Sequence, residues 1–530
     1  MNQNVIAAAM SSSGFYPSRP ESVEIIQTHI SWVFIAGDDV FKVKKAVDLG
    51  FLDFTTLEKR KFYCEEEVRL NRRLAPLIYR DVVEISQDRE GNIVLGKGET
   101  VLEYAVHMHQ IPADKMLKKL LRQEDFDSRI IAAVARKLVN FHRSADTGGI
   151  IDETGGIETV RRNHEENFSQ TESFIGRTLS AFRHGFIRYY ARTFLDDHED
   201  LFGKRVREHK IRDCHGDLHL EHVVVTDDQI IIFDCIEFNE RFRFCDVAAE
   251  VAFLAMDLDF NGYHDLSTLF VQSYIDASGD RDLPTLIPFY QCYYAFVRGK
   301  VTGFRLFGSQ VTPEDSEAAA RTAEKYFELA LSYAFTFTKP TLILMAGLMG
   351  SGKSVISREL LRITGASVIQ TDVVRKELCD LTPTERRLDD FGKGIYSRDF
   401  TERVYEQAFA TAKHLLTLGK SVIIDASFKR QAHRAAAHNV IQDMKADFFV
   451  LECTCSDDCA LERLARRIQD KNEASDGRAE IYDAQKKDFD AVTEFPASVH
   501  LKLDTSIPPS DCIDQVIAFL SKAGQANSIL

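Results

Sequence analysis

Two stretches of this chain hold residue types that handle phosphate. Gly347-Leu348-Met349-Gly350-Ser351-Gly352-Lys353-Ser354 meets the pattern G-x-x-x-x-G-K-[S/T] at every specified position. Glycines let such a loop wrap until its backbone N–H groups point inward at phosphate oxygens. A helix that starts at the end of the loop adds its positive N-terminal end. On this chemistry Lys353 bridges the β- and γ-phosphates of ATP, Ser354 ligates Mg2+, and Gly347, Leu348, Met349, Gly350, Ser351 and Gly352 form the cradle. The second stretch is His215-Gly216-Asp217-Leu218-His219, followed by an apolar strand that ends in Phe233-Asp234. It belongs to a different and unrelated way of handling ATP.

The surroundings of the glycine loop suit it. TLILMA before it reads as a buried strand, and VISRELLRI after it as an amphipathic helix. Asp425 ends the apolar run SVIID, which places a carboxylate at the C-terminal edge of a strand, where open α/β sheets bind ligands. There it suits a partner for Mg2+; a strand-ending Asp that caps the next helix is the plainer alternative. Arg463, Arg466 and Arg467 share one helix, followed by the polar loop DKNEASDGR. A lid needs mobile polar chain with cations that reach a transferred phosphate, which makes Arg466, Arg467 and Arg478 candidates. A solvated basic helix face explains the same arginines.

The elements that position these residues follow from periodicity. Residues 24–45 alternate apolar and polar around Gly37-Asp38-Asp39, a strand–turn–strand signal. Residues 57–74 have a helical period, with apolar positions at Phe62, Val68, Leu70 and Leu74. Strands are expected at DVVEIS, NIVLGKG and VLEYAVHM, then helices from about 115 to 210, strand–loop–strand over 211–236, and helices again to about 335. Pro340 precedes a fresh apolar strand after a long Ala-rich helix, so a boundary is placed there, giving domains 1–335 and 340–530. Beyond it, strands alternate with helices, which implies a parallel sheet covered on both faces.

Composition excludes some classes. The chain has 530 residues, more than one hydrophobic core organises. Its 81 acidic against 66 basic residues leave a net charge of −15, which argues against an extensive nucleic-acid or anionic-membrane surface. No run reaches the roughly 18 apolar residues of a membrane span. The ten cysteines, in a chain without a secretory leader pattern, read as reduced thiols of a cytoplasmic protein. Cys453, Cys455 and Cys459 lie close together, but no second Cys/His pair follows to complete a zinc site.

Residues 340–530 resemble the small P-loop kinases, a group with gluconate-kinase-like, zeta-toxin-like and polynucleotide 5′-kinase-like members. The resemblance implies that Asp372, at the end of VIQTD, takes the proton of an acceptor hydroxyl and that Arg375 holds substrate or phosphate. An N-cap role for Asp372 is the alternative. The segment CHGDLHLEHVVVTDDQIIIFD resembles the aminoglycoside phosphotransferase family, which has the α+β protein-kinase-like fold. That likeness implies Asp217 as catalytic base, Asp234 as Mg2+ ligand and His215 as the residue that orders the loop. It further implies that Lys42 or Lys44 holds the α/β-phosphates, that Glu67 pairs with that lysine, that LEYAVHM contacts adenine, and that Asp246 supports the catalytic loop. Where the family has a metal-binding Asn, this chain has His222, and imidazole is a poorer partner for hard Mg2+. The pairing of both halves resembles a bacterial family of bifunctional aminoglycoside-phosphotransferase-like, ATP-binding proteins, carried by SWVFIAGDDVFKVKKAVDLGFLDFTTLEKR, CHGDLHLEH and GLMGSGKS.

Three functions stay open at this stage. One is an ATP- and Mg2+-dependent phosphotransferase acting on hydroxyl groups of small molecules at two kinase-type sites. Another is a nucleotide-gated regulatory ATPase whose first half is a ligand-binding pseudokinase. A third has the P-loop half modify a nucleic-acid end or a nucleotide sugar.

Overall fold

The structure, a computed structural model, describes residues 3–226, 229–307, 311–382, 384–385, 392–467 and 477–522. The chain divides into two compact units, one of residues 1–173 with 191–326 and one of residues 174–190 with 327–530.

Unit 1 begins with strands β1 (Glu24–Gln27), β2 (Ser31–Ala36), β3 (Asp39–Lys44), β4 (Tyr79–Gln87), β5 (Ile93–Leu95) and β6 (Thr100–His109). They form one antiparallel sheet in the order β1-β2-β3-β6-β4-β5. The expected first strand is therefore two, β1 and β2, and the tight turn at Gly37-Asp38 joins β2 to β3. Gly37 takes φ +67°, a region open to glycine at no steric cost. Lys42 and Lys44 lie two residues apart on β3, so both project from the same face.

The helix Leu57–Asn71 packs on this sheet. Thr56 starts it, its hydroxyl accepting the Lys59 N–H at 3.2 Å. The buried side carries Arg60, Cys64, Glu67, Val68 and Asn71 at helical spacing. Phe62, expected on the apolar face, is instead 55% exposed. The buried face here is largely polar and is satisfied by ion pairs: Arg60 Nε lies 2.9 Å from Glu103 Oε1.

The rest of unit 1 is mainly helical, interrupted by β7 (Ile211–Asp213), the β8 (Val223–Val225)–β9 (Ile230–Ile232) hairpin and β10 (Phe244–Asp246), which pairs with β7. At its centre is the helix Val247–Phe260, with twelve of fourteen residues buried. A helix apolar all round belongs inside a core, and its two buried acids, Glu250 and Asp257, need partners. This sheet-plus-helix lobe followed by a helical lobe is the protein-kinase-like fold.

Unit 2 is an α/β P-loop fold. Strands β11 (Thr341–Ala346), β12 (Ser367–Gln370), β13 (Val422–Asp425), β14 (Asp447–Thr454) and β15 (His500–Asp504) form a parallel sheet in the order β12-β13-β11-β14-β15. Central β11 is buried at every residue, as expected for a strand covered on both faces. Leu342, Leu344 and Ala346 alternate toward a cluster with Tyr405, Ala408 and Ala412 of the helix Arg398–Thr417. Residues 174–190 pack with this unit: Arg183 Nε donates to Asp514 Oδ1 at 2.7 Å. Composition along the chain carries no sign of that contribution. Among the described residues no helix is long and apolar enough to cross a membrane.

Arg205 tests the helical lobe of unit 1. Fully buried, it donates to both Asp246 oxygens at 2.8 and 2.6 Å and to Asp280 at 2.8 and 2.7 Å. Arg205→Ala leaves buried Asp246 without its cation and Asp280 with Lys210 at 3.5 Å in place of two hydrogen bonds, and is expected to cost about 3–5 kcal/mol. Chemical denaturation of the full chain measures this; a loss below about 1 kcal/mol would refute the role.

Candidate active sites

In unit 1 the loop His215–Leu220 follows β7 and depends on hydrogen bonds from outside itself. Glu250 Oε1 accepts the backbone N–H of His215 at 2.6 Å and of Gly216 at 2.9 Å. Asp257, two helical turns on, accepts the Leu220 N–H at 2.9 Å. The second oxygen of Glu250 lies 2.7 Å from His142 Nε2, and His142 Nδ1 lies 2.7 Å from the Tyr274 hydroxyl. Burial opposes charge on His142, but Cys214 and Glu250 beside it raise the imidazole to about 9. Asp246, expected to support this loop, does something else. Its carboxylate caps the helix Val247–Phe260 through the Ala248 N–H and grips Arg205. Glu250 takes the loop because one turn further along the helix a carboxylate reaches the two N–H groups. Its signal in the sequence was an acid inside an otherwise apolar helix.

His215 ties this loop to the chain after β9. Its Nε2 donates to the Phe233 carbonyl at 2.9 Å, and its Nδ1 accepts the Asp217 N–H at 3.3 Å. Asp234 takes φ +64°, a left-handed backbone uncommon for a non-glycine residue. The Asp234 N–H donates to the Tyr79 hydroxyl at 3.2 Å, and the next N–H, of Cys235, to Asn71 Oδ1 at 2.8 Å. Strain of this kind persists where the surroundings over-determine it.

The charged groups converge. Lys42 Nζ lies 2.7 Å from Asp234 Oδ1 and 2.8 Å from Glu67 Oε1. Lys44 Nζ lies 2.6 Å from Glu67 Oε2 and also pairs with Glu237. Glu67 thus bridges both lysines, but only Lys42 reaches Asp234, and Lys44 is 1% exposed. Burial works against the Lys42 ammonium, yet Asp234, Glu67 and Glu237 hold its pKa well above the ordinary lysine value. Burial likewise opposes the Asp234 carboxylate, and Lys42 and His222 outweigh it and keep it well below the usual range. Asp217 is also held low, against burial, by His219 and His222. Glu237, on no motif, emerges as the second partner of Lys44.

His222 stands between the two aspartates. Its Nδ1 is 2.8 Å from the Asp217 carbonyl oxygen, and its Nε2 is 3.5 Å from Asp234 Oδ2. Burial, with His219 alongside, pushes the imidazole down to about 4 against the pull of Asp217 and Asp234. Asp234 offers a hard oxygen suited to Mg2+; a nitrogen donor at His222 does not fit that ion.

In unit 2 the loop after β11 is built by close backbone approach. A Cβ on Gly347 (φ +135°) would lie 2.3 Å from the Cys453 carbonyl oxygen, and one on Gly350 (φ +76°) 2.6 Å from that of Ala460. The helix Lys353–Thr364 starts at once. Lys353 Nζ donates to the carbonyls of Gly347 at 3.0 Å and Leu348 at 2.8 Å, so it lies curled inside the loop. Thr505 and Arg463 brace the loop: Thr505 Oγ1 donates to the Ser351 carbonyl at 2.8 Å, and Arg463 to the Thr505 carbonyl at 2.6 Å.

Ser354, Asp372, Arg375 and Asp425 line one cavity with Lys353. Asp425 ends β13, beside β11, and accepts from Ser357 Oγ at 3.3 Å. Burial raises its carboxyl, opposed by Lys353 and the Ser354 hydroxyl. These two oxygen donors fit a hard divalent ion such as Mg2+. Asp372 lies in the first turn of the helix Thr371–Glu377 rather than at a strand end. Arg375, buried on that helix, donates to the Ile395 carbonyl at 2.6 Å and to Thr401 Oγ1 at 3.2 Å, with its guanidinium 4.7 Å from the Tyr396 ring centre. Arg467 and Arg478 line the same cavity. Arg466 is placed elsewhere, 77% exposed and paired with Glu462 one turn back on its helix. Most of the expected lid, residues 468–476, lies outside the described residues.

A family profile described as an AAA domain matches residues 342–492. Proteins of Mycobacterium tuberculosis (strain H37Rv) and Mycobacterium bovis, both described as uncharacterized, are 31% identical over 468 residues, spanning 88% of this chain and 91% of their own. Among solved structures, a sugar kinase from Janibacter sp. HTCC2649 is similar at 18% identity over 34% of this chain and 94% of its own, with a TM-score of 0.27. A choline/ethanolamine kinase family protein from Mesorhizobium loti is similar at 12% identity over 62% of this chain and 98% of its own, with a TM-score of 0.37.

The glycine geometry yields a direct test. Gly350→Ala sets a side chain against backbone at a left-handed φ, a strain of about 1–3 kcal/mol. Nucleotide affinity of this loop, titrated by calorimetry in a Lys42→Ala background, is expected to fall about tenfold or more, while the unit stays folded with a melt lowered by roughly 2–10 °C. Undiminished affinity would show that the loop does not hold the nucleotide.

Proposed function

The chain belongs to the same family as these mycobacterial proteins, and from its own two units, one protein-kinase-like and one P-loop kinase-like, we propose that it is an ATP-dependent phosphotransferase with two nucleotide sites. The observation that carries the reading is the convergence of Lys353, Ser354, Asp372, Arg375 and Asp425 on one cavity. In that cavity Lys353 exchanges the loop carbonyls of Gly347 and Leu348 for the β- and γ-phosphates. Ser354 and Asp425 hold Mg2+, which would supply positive charge against the phosphate oxygens. Asp372 takes the proton of the acceptor hydroxyl, and Arg375 holds the acceptor or the transferred phosphate. Arg467 and Arg478 add cations at the rim.

Unit 1 supports a second site of the same class. Lys42, fixed by Glu67, is the phosphate lysine, Asp217 orients the acceptor hydroxyl, and Asp234 is the metal carboxylate. The acceptors are small hydroxylated molecules, and ten free thiols suit a cytoplasmic setting. A specific observation favours the regulatory reading for this unit alone: His222 stands beside Asp234 where an oxygen donor would serve Mg2+ better.

Incubation with γ-labelled ATP, Mg2+ and a small-molecule extract tests the proposal. A labelled metabolite is expected, reduced about 10²-fold or more by Lys353→Ala if unit 2 makes it, or by Asp217→Ala if unit 1 does. Labelled inorganic phosphate alone, abolished by Lys353→Ala, would replace transfer with nucleotide-gated regulation.

A further inference from the structure

The tautomer of His222 is fixed by its neighbour. Its Nδ1 lies 2.8 Å from the backbone carbonyl of Asp217, and a carbonyl only accepts. Nδ1 therefore carries the ring proton, and the lone pair of the neutral imidazole sits on Nε2. That lone pair faces Asp234 Oδ2 at 3.5 Å. The other oxygen of Asp234 is taken by Lys42 at 2.7 Å.

A separation of 3.5 Å is too long for a charge-assisted hydrogen bond, which closes to about 2.7–2.9 Å. It is near the spacing of two donors on one ion: ligands at about 2.1 Å stand about 3.4 Å apart across a tetrahedral angle, and about 3.0 Å apart across the right angle of an octahedral ion, which a small closure of the pair would reach. An imidazole that ligates a metal commonly donates its other N–H to a backbone carbonyl, the arrangement His222 has. His219 is excluded as a donor by the same reasoning. Its Nδ1 accepts the Glu221 N–H at 3.3 Å, so its proton is on Nε2, which faces Asp217 Oδ2 at 3.6 Å. His219 instead lies against His222, ring centres 3.8 Å apart and tilted by 36°, and limits its rotation.

We infer that unit 1 binds its divalent ion through His222 Nε2 and Asp234 Oδ2 and selects a first-row transition-metal ion, with Mn2+ as the probe, over Mg2+. Magnesium holds to oxygen donors, whereas imidazole suits borderline ions. The remaining coordination positions belong to nucleotide phosphate and water, which rests on the reading of unit 1 as a nucleotide site. Both donors sit on segments braced from behind, Asp234 by Tyr79 and His222 by the Asp217 carbonyl, so the pair is set before an ion arrives.

The test uses untagged full-length protein carrying Ser354→Ala, which removes a metal donor of unit 2. Pulsed electron paramagnetic resonance of bound Mn2+, with and without a non-hydrolysable ATP analogue, reads nitrogen coupling to the ion. A histidine-type coupling is expected that changes on 15N-histidine labelling and disappears in His222→Asn. Mg2+ is expected to displace Mn2+ at about tenfold lower excess from His222→Asn than from the parent. Bound Mn2+ without nitrogen coupling, coupling that survives His222→Asn, or equal displacement in both proteins would overturn the inference. If His222→Asn fails to fold, the isotope effect on the parent protein decides alone. Binding of a fluorescent ATP analogue to the same samples separates the two claims. Analogue bound without nitrogen coupling refutes the metal assignment only, and nitrogen coupling without analogue binding upholds it while refuting nucleotide binding by this unit.

Discussion

The carboxylate of Glu250 is the interaction on which unit 1 depends. It is buried, and one of its oxygens takes two consecutive backbone N–H groups of the loop that carries Asp217. A loop buried against a helix has no ladder of its own to satisfy those donors, and each one left without a partner costs about 1–3 kcal/mol. The other oxygen meets His142, which is anchored in turn by Tyr274, so the carboxylate cannot swing away from the loop. Asp257 repeats the device at Leu220. The helix Val247–Phe260 has an apolar surface that fixes it in the core and two acids that transmit its position to the loop.

Unit 2 solves the same problem chiefly with backbone. Its phosphate loop is held by backbone packed on backbone, with no room for a Cβ at Gly347 or Gly350. Thr505 and Arg463 complete the frame by taking the loop into hydrogen bonds at Ser351 and around Thr505. Part of this loop's backbone is bonded by neutral groups, the Gly347 N–H to the Ser427 carbonyl at 3.1 Å and the Met349 N–H to Gln485 Oε1 at 2.7 Å, whereas in unit 1 a carboxylate takes the N–H groups of His215 and Gly216. That difference follows from what each loop does. In the proposed function one would cradle an anion with its backbone, and the other would present a side chain.

Legibility in the sequence followed the same division. The loop after β11 is readable as a strand–loop–helix turn because its glycines stand at fixed spacing, and the alternation of strands and helices around it implies the parallel sheet that is found. The candidates Asp217, Asp234 and Glu67 were named from a resemblance, and the structure brings Asp234 and Glu67 onto Lys42. The choice between Lys42 and Lys44 was not readable, since both project from one face of β3 and both touch Glu67. Their long-range partners separate them, Asp234 for Lys42 and Glu237 for Lys44. Glu250 was passed over because an acid in an apolar helix is visible but its partner is not. Phe62 misled for the complementary reason, because hydrophobic periodicity assumes an apolar buried face and this helix buries Arg60 and Glu67. The contribution of residues 174–190 to unit 2 is tertiary and leaves no local pattern.

The two candidate sites differ in donor chemistry as well as in charge. On the proposed assignments each would present one carboxylate to an ion, Asp425 in unit 2 and Asp234 in unit 1, which would leave a divalent ion about one positive charge over that ligand in either place. The neutral donors differ: a hydroxyl from Ser354 on one side and an imidazole nitrogen from His222 on the other. Neither changes the local charge, so discrimination between ions falls on donor softness and on how firmly the donor is aimed. In unit 1 the aim is firm, because Asp217 sets the ring through its carbonyl and Lys42 leaves Asp234 one oxygen to give. The residue proposed to orient the acceptor hydroxyl thus also orients the residue that meets the ion. On the proposed roles, acceptor chemistry and ion choice in unit 1 would be coupled through a single backbone oxygen.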